Sequence, residues 1–247
     1  MEEQQQDDQD DETRKKVLLD YFTGVRCVNC PQAIKRAEEL RSNNNDDLII
    51  VAYHVGSFAE PHDDSEYDFR NQTSENLFDL LGRGGIPAGS IDRRETDDGD
   101  KVVQHGEWAH LIQQSLDQSP AVSIALEGSF NDDEGNIEVN IEYLENIDEP
   151  HNLTVLLTEN NLVDWQLGED GWIEDYEHNH AIRKFVTSYN GASLDAPAEQ
   201  GQELTENFNI STADYIENPE NANWIVFVHH SGSERTVIQT EKKPLKE

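Results

Sequence analysis

Both cysteines of the chain stand two residues apart in "FTGVRCVNCP", and Pro31 follows them directly. Ahead of Cys27 lies "KVLLDYF", a β-branched and aromatic run that reads as a strand. Behind Cys30 lies "PQAIKRAEELRS", with Ala33, Ile34, Ala37 and Leu40 at helical spacing and proline at the helix start. A C-x-x-C pair has three physical readings. Half of a four-ligand zinc site needs two further ligands at matching spacing, and there is no second C-x-x-C. An inert disulfide would close a loop too short to constrain the unfolded chain much. A redox pair needs its first cysteine at a helix N-terminus, where the dipole and free N–H groups stabilise a thiolate. The strand-to-helix junction is the third geometry; the other two stay open.

The remaining bulk properties bound the class. Eighteen basic and 52 acidic residues give a net charge of -34, and seven of the acids fall in the first twelve residues. The rest of the chain is therefore still strongly acidic. Such a surface repels nucleic acid and anionic lipid. It holds water where salt screens self-repulsion, as in a halophilic or solvated envelope protein. No apolar stretch approaches the roughly 20 residues of a membrane span. Met1 runs straight into "EEQQQDDQDDE", without the pattern of a signal peptide. A cytosolic protein, or a mature form made without its targeting segment, is expected.

The texture of the chain changes twice. Residues 1–14 are polar and acidic, and read as a disordered tether. Residues 15–119 run strand, helix, strand, helix, strand, strand, helix. "LIIVAYHV" is the buried central strand, and "KVVQHG" the fourth. This is an α/β domain with helices on both faces of a small mixed sheet. From Pro120 onward, alternating runs such as "GNIEVNIEYL", "HNLTVLLTE" and "NWIVFVHH" read as an antiparallel β-sandwich. The boundary is expected at Ser119–Pro120, and residues 120–247 are expected to fold alone.

"VLLDYFTGVRCVNCP", "IIVAYHV" and "GIPAGSIDR" together resemble a thioredoxin-fold domain. With "LTVLLTENNLVDWQ", "YEHNHAIRKF" and "WIVFVHH" added, the chain resembles the Bacteroidetes outer-membrane protein family of about 28 kilodaltons. That resemblance implies a secreted protein, commonly a lipoprotein. It implies an α/β thioredoxin-like domain followed by an all-β immunoglobulin-like sandwich. The location would be periplasm or outer membrane, with membrane contact only through a removed lipid anchor or signal segment. Ile86–Pro87 falls where the thioredoxin fold keeps a cis-proline beside the cysteines. The implied site is Cys27 as attacking thiol, Cys30 as resolving thiol, and Arg26, Ile86 and Pro87 around the groove. Partners would be protein thiols or disulfides of the envelope, with no cofactor and no metal.

Three departures qualify that site. Arg26 stands where thioredoxins carry Trp, and a cation there favours the Cys27 thiolate. Val28-Asn29 replaces Gly-Pro. Tyr21 occupies the place of the buried acid, and alternation puts Asp20 on the other face of the strand. Two functions follow: a thiol-disulfide oxidoreductase, or a non-enzymatic envelope protein with a vestigial fold. His178, His180, His229 and His230 offer nitrogen ligands but no fixed metal spacing, and His54 follows the central strand.

The acidity yields a first prediction. The melting temperature should rise from dilute buffer to molar sodium chloride as self-repulsion is screened. A flat or falling curve contradicts the high-salt reading.

Overall fold

The computed structural model describes residues 14–246. Of the expected tether at 1–14, only Arg14 lies within them. The fold is mostly β, with several sheets and three α-helices among the described residues.

The first half builds β1 (Val17–Thr23), α1 (Cys30–Asn43), β2 (Leu48–His54), α2 (Gln72–Leu80), β3 (Ala88–Ile91) and α3 (Trp108–Leu116). The fourth expected strand, at "KVVQHG", is reduced to a single bridge between Val103 and Gly89. β1 pairs in parallel with β2 and antiparallel with β3. All seven residues of β1 and of β2 are buried, as a strand covered on both faces requires. Val17, Leu19 and Tyr21 pack with Ala33, Ala37, Trp108 and Ile112 of α1 and α3. Leu18 and Phe22 face the other way, toward Leu77 and Phe78 of α2.

The second half adds β4 (Val122–Asn131), β5 (Glu134–Tyr143), β6 (His151–Glu159), β7 (Leu162–Gly168), β8 (Gly171–His178), β9 (Ala181–Phe185), β10 (Ala192–Ser193), β11 (Glu203–Ser211), β12 (Ala222–His230) and β13 (Val237–Pro244). The large sheet runs β13-β12-β6-β9-β2-β1-β3, with β10 beside β6. A second sheet, β11-β5-β4, faces it across a core of Val139, Ile141, Val155, Leu157, Trp224 and Val226. The strands β7 and β8 form a separate hairpin.

The large sheet crosses the expected boundary at Ser119–Pro120. β9 meets β2 at Ala181–Ala52, and the Ala52 N–H donates to the His180 carbonyl at 2.8 Å. One core joins Leu18, Phe22 and Tyr53 to Leu156, Phe185 and Phe227. Residues 120–247 alone would leave the Leu156, Phe185 and Phe227 side of that core without its partners from β1 and β2.

A corner at Asp92–Arg93 fastens the halves. Asp92 N–H donates to the Leu18 carbonyl, and Leu18 N–H to Asp92 Oδ1, both at 2.8 Å. Val237 N–H of β13 donates to the Asp92 carbonyl at 2.8 Å. Lys15 pairs with Asp92 at 2.9 Å. Arg93 is wholly buried; its Nε donates to Asp20 Oδ2 at 2.8 Å, and its guanidinium lies 4.7 Å from the Phe227 ring centroid. Asp92 and Arg93 both hold positive φ, 47° and 55°, a region that side chains seldom enter without fixed partners. Alternation did place Asp20 away from Tyr21, and Arg93 is what receives it.

Removing one partner of such a pair leaves a lone buried charge, which costs about 3–5 kcal/mol. Asp20→Ala should therefore destabilise strongly, and Asp20→Ala with Arg93→Met should recover much of the loss. Denaturant titration of the single and double variants checks this. Equal loss in both variants would show that the pair is not coupled.

Candidate functional site

The parallel strands β1 and β2 end side by side, and the cysteine loop leaves from there. Gly24 is obligatory at the exit: a Cβ would stand 2.5 Å from the Phe58 carbonyl oxygen. Arg26 N–H donates to that same oxygen at 2.8 Å. Cys27 N–H then turns back to the Gly24 carbonyl at 3.0 Å, and Cys30 N–H to the Cys27 carbonyl at 3.1 Å. Asn29 caps α1, Cys30 is its first residue and Pro31 follows. Cys30 thus opens the helix.

Cys27 and Cys30 form a disulfide with Cα atoms 5.3 Å apart. Both are buried, at 4% and 2% exposure. The Tyr21 hydroxyl donates to the Cys30 carbonyl at 2.9 Å, and burial pushes its pKa well up. Tyr21 is thus a neutral donor under the pair.

The Arg26 guanidinium is engaged elsewhere than at Cys27. Its Nε and Nη2 donate to the Glu60 and Pro61 carbonyls at 2.9 and 2.8 Å, and it lies 5.6 Å from the Trp172 ring centroid. The Ile86–Pro87 bond is cis, as the resemblance implied. Pro87 directly precedes Ala88, the register partner of Phe22, so it lies at the end of β1 from which the cysteine loop departs. Pro87 is buried and Ile86 half-buried.

Sequence reasoning missed the β7–β8 hairpin. It crosses from the second half and is tied to the cysteine loop. Leu167 N–H donates to the Val25 carbonyl at 2.7 Å. The buried Gln166 amide donates to the carbonyls of Cys27 and Gly24 at 3.1 and 3.3 Å. The signal was present in the sequence: "LVDWQLGEDGWIEDYEH" is two alternating runs around a Gly-bounded turn.

The histidines scatter. His54 is register partner of Thr23 and wholly buried, stacked on Phe69 at 4.6 Å and tilted against His178 at 5.6 Å. His180 bonds Glu38 at 2.6 Å, and His229 bonds Thr154 at 3.0 Å. Among the described residues, no three His, Cys, Asp or Glu side chains gather as a metal-holding group.

The model of the outer membrane protein Omp28 family matches residues 71–247, from α2 through the hairpin to the end of the chain. The chain belongs to the Omp28 family. Membership places it outside the cytoplasm, at the outer membrane or in the periplasm. Among the described residues no helix is long and apolar enough to cross a membrane. No curated protein matches the sequence. Among solved structures, HBP35 of Porphyromonas gingivalis superposes with a TM-score of 0.75 at 18% identity, covering 94% of this chain and 76% of that one. A protein of Agrobacterium tumefaciens superposes at 0.59 and 14% identity, covering 95% and 96%. At these identities the likeness is one of fold. The family match begins after the cysteine pair.

Burial holds His178 down to about 4 and His54 well below its ordinary 6.5, with Asp68 and Asp164 the carboxylates that oppose the shift. A depressed histidine leaves stability intact above pH 6.5 and removes it as pH falls toward 4, where only the unfolded chain takes up the proton. For His178 the full effect is roughly 3 kcal/mol at most. His54→Phe should flatten the fall in melting temperature between pH 6.5 and 4. An unchanged slope would remove His54 from the acid response.

Proposed function

We propose that the chain is an extracytoplasmic thiol-disulfide exchange protein in which residues 15–119 are a thioredoxin-like unit and the rest an immunoglobulin-like sandwich. The observation that carries the reading is the Cys27–Cys30 disulfide at the junction of β1 and α1. Support comes from the parallel β1–α1–β2 unit, from the antiparallel β3 headed by cis-Pro87, and from helices on both faces. In the exchange, a partner thiolate attacks Cys27 Sγ, and Cys30 leaves as thiolate. A second partner thiolate then attacks the partner sulfur of the mixed disulfide. The partner gains a disulfide, the chain gains two thiols, and two electrons move. In reverse, Cys27 attacks and Cys30 resolves. The partners are envelope proteins, and the strong acidity argues against nucleic acid. A lipid anchor, which the resemblance implies, is the proposed membrane contact.

Burial of both sulfur-bearing residues favours a second reading, a non-enzymatic envelope protein with a vestigial pair. Reduction under native conditions separates the two. On the exchange reading, dithiothreitol opens the disulfide without denaturant, and limiting iodoacetamide at pH 6 to 7 then labels Cys27 first. Gln166→Ala, which frees the loop from an amide tether, should speed reduction about fivefold, the equivalent of one neutral hydrogen bond. A disulfide that opens only when the chain unfolds supports the vestigial reading. Preferential labelling of Cys30 overturns the assigned roles.

A further inference from the structure

Six large apolar residues are exposed among those described, and four of them adjoin the disulfide loop. Val28 lies between the cysteines, and Phe58, 50% exposed, belongs to the turn whose carbonyl holds Arg26 N–H. Trp172, 36% exposed, sits against the Arg26 guanidinium. Ile173 is the register partner of Gln166, whose amide bonds the Cys27 carbonyl. Behind Trp172, His62 stacks on Trp165 at 4.3 Å and meets Trp172 edge-on at 4.6 Å. A chain of net charge -34 has every reason to keep apolar side chains inside, so their placement around one disulfide is selective.

The charge around this patch is mostly negative. The hairpin Leu162–His178 carries Glu169, Asp170, Glu174, Asp175 and Glu177 on its surface and no lysine or arginine. The segment 57–68, beside the loop, adds Glu60, Asp63, Asp64 and Glu66, with no lysine or arginine, while its Asp68 is paired with Arg70 at 2.6 Å. Arg26 is the one cation of the cysteine loop, and its donors are held by the 60–61 carbonyls. An apolar centre with a carboxylate rim repels acidic segments and selects a segment that brings both apolar side chains and positive charge.

We infer that Val28, Phe58, Trp172 and Ile173, with the carboxylates of the β7–β8 hairpin, form the docking face for a cationic, apolar, cysteine-bearing protein segment. The inference rests on the exchange reading and names its substrate class. The occupant lays apolar side chains on the Trp172–Ile173 tip and pairs its lysines or arginines with the rim. Its sulfur is thereby presented to the pair held under Gln166. The second half of the chain thus supplies the specificity and the first half the chemistry.

The test uses the full chain with Cys30→Ser, so that Cys27 is a single thiol. It reacts with short peptides whose one cysteine is activated as a disulfide with thionitrobenzoate. Cys27 thiolate attacks the peptide sulfur, a Cys27–peptide disulfide forms, and coloured thionitrobenzoate leaves. One peptide flanks its cysteine with leucine and lysine, the second with leucine and glutamate, the third with serine and lysine. A small neutral disulfide reports intrinsic reactivity.

The leucine-lysine peptide should react at least about tenfold faster than either other peptide at low salt, and its lead over the glutamate peptide should shrink at high salt. Trp172→Ser with Ile173→Ser should remove the leucine advantage, read as each peptide rate divided by the small-disulfide rate of the same folded variant. Glu174→Gln, Asp175→Asn and Glu177→Gln together should lower the lysine advantage, whereas Glu142→Gln, Glu203→Gln and Glu206→Gln on the far sheet should not. Equal peptide rates, or an advantage that survives the hairpin variants, overturns the docking face and leaves the exchange reading standing. A Cys27 that ignores the small disulfide as well, in the folded protein, overturns the exchange reading, and this inference falls with it.

Discussion

The buried ion pair between Asp20 and Arg93 is the constraint around which the two halves are organised. A charge at zero exposure is tolerated only with its partner fixed in place. Fixing Arg93 requires the corner at 92–93, and that corner is held from three sides. β1 grips it through Leu18, the residues just before β1 through Lys15, and β13 through Val237. The guanidinium is closed in by Phe227 from β12. A single ion pair in the first half is therefore completed by the last strands of the second. The shared sheet and shared core follow from the same requirement, since Phe227 also packs with Leu18 and Phe22.

That union determines what surrounds the disulfide. With β9 attached to β2, the preceding hairpin is carried to the carboxyl ends of β1 and β2, where the cysteine loop begins. Ligand sites of open α/β sheets form outside those strand ends. Here the space is occupied by protein: Gln166 and Leu167 bond the loop backbone, and Val25 packs with Phe69, Leu162 and Ala181. Apart from Phe69, the cover comes from residues more than a hundred positions away in sequence.

Local order was legible, and assembly was not. The strand and helix that flank Cys27 and Cys30 follow from β-branched runs, helical spacing and Pro31, and the structure has both. Tyr21 and Asp20 fall on opposite faces because alternation is fixed by the pleat. "KVVQHG" misled because two valines make strand chemistry, but only Val103 finds a partner across from Gly89. The change of texture at Pro120 left the shared sheet out of view for a different reason. Composition changes there, but the apolar faces of β6 and β12 are two-sided, with Val155 and Val226 toward one core and Leu156 and Phe227 toward another. Hydrophobic runs state that a face is buried and leave open what buries it. Arg26 shows the same limit: its neighbour in sequence is Cys27, while its guanidinium belongs to the 60–61 carbonyls and Trp172.

The exchange of Asp and Tyr on β1 bears on proton movement at the pair. The carboxylate of β1 faces the joint core and is bound to Arg93, so it has no route to Cys30. Tyr21, on the proper face, already donates its proton to the Cys30 carbonyl, and burial holds it neutral. Neither side chain is free to deliver a proton to a departing Cys30 thiolate. On the exchange reading that proton comes from water, because the two side chains of β1 nearest the pair are already committed. The Gln166 amide and the Leu167 N–H, bonded to the carbonyls of Gly24, Cys27 and Val25, hold the loop backbone around the disulfide. Trp172 and Ile173 stand opposite those two residues in the hairpin, so the exposed apolar tip and the tether on the loop belong to the same pair of strands.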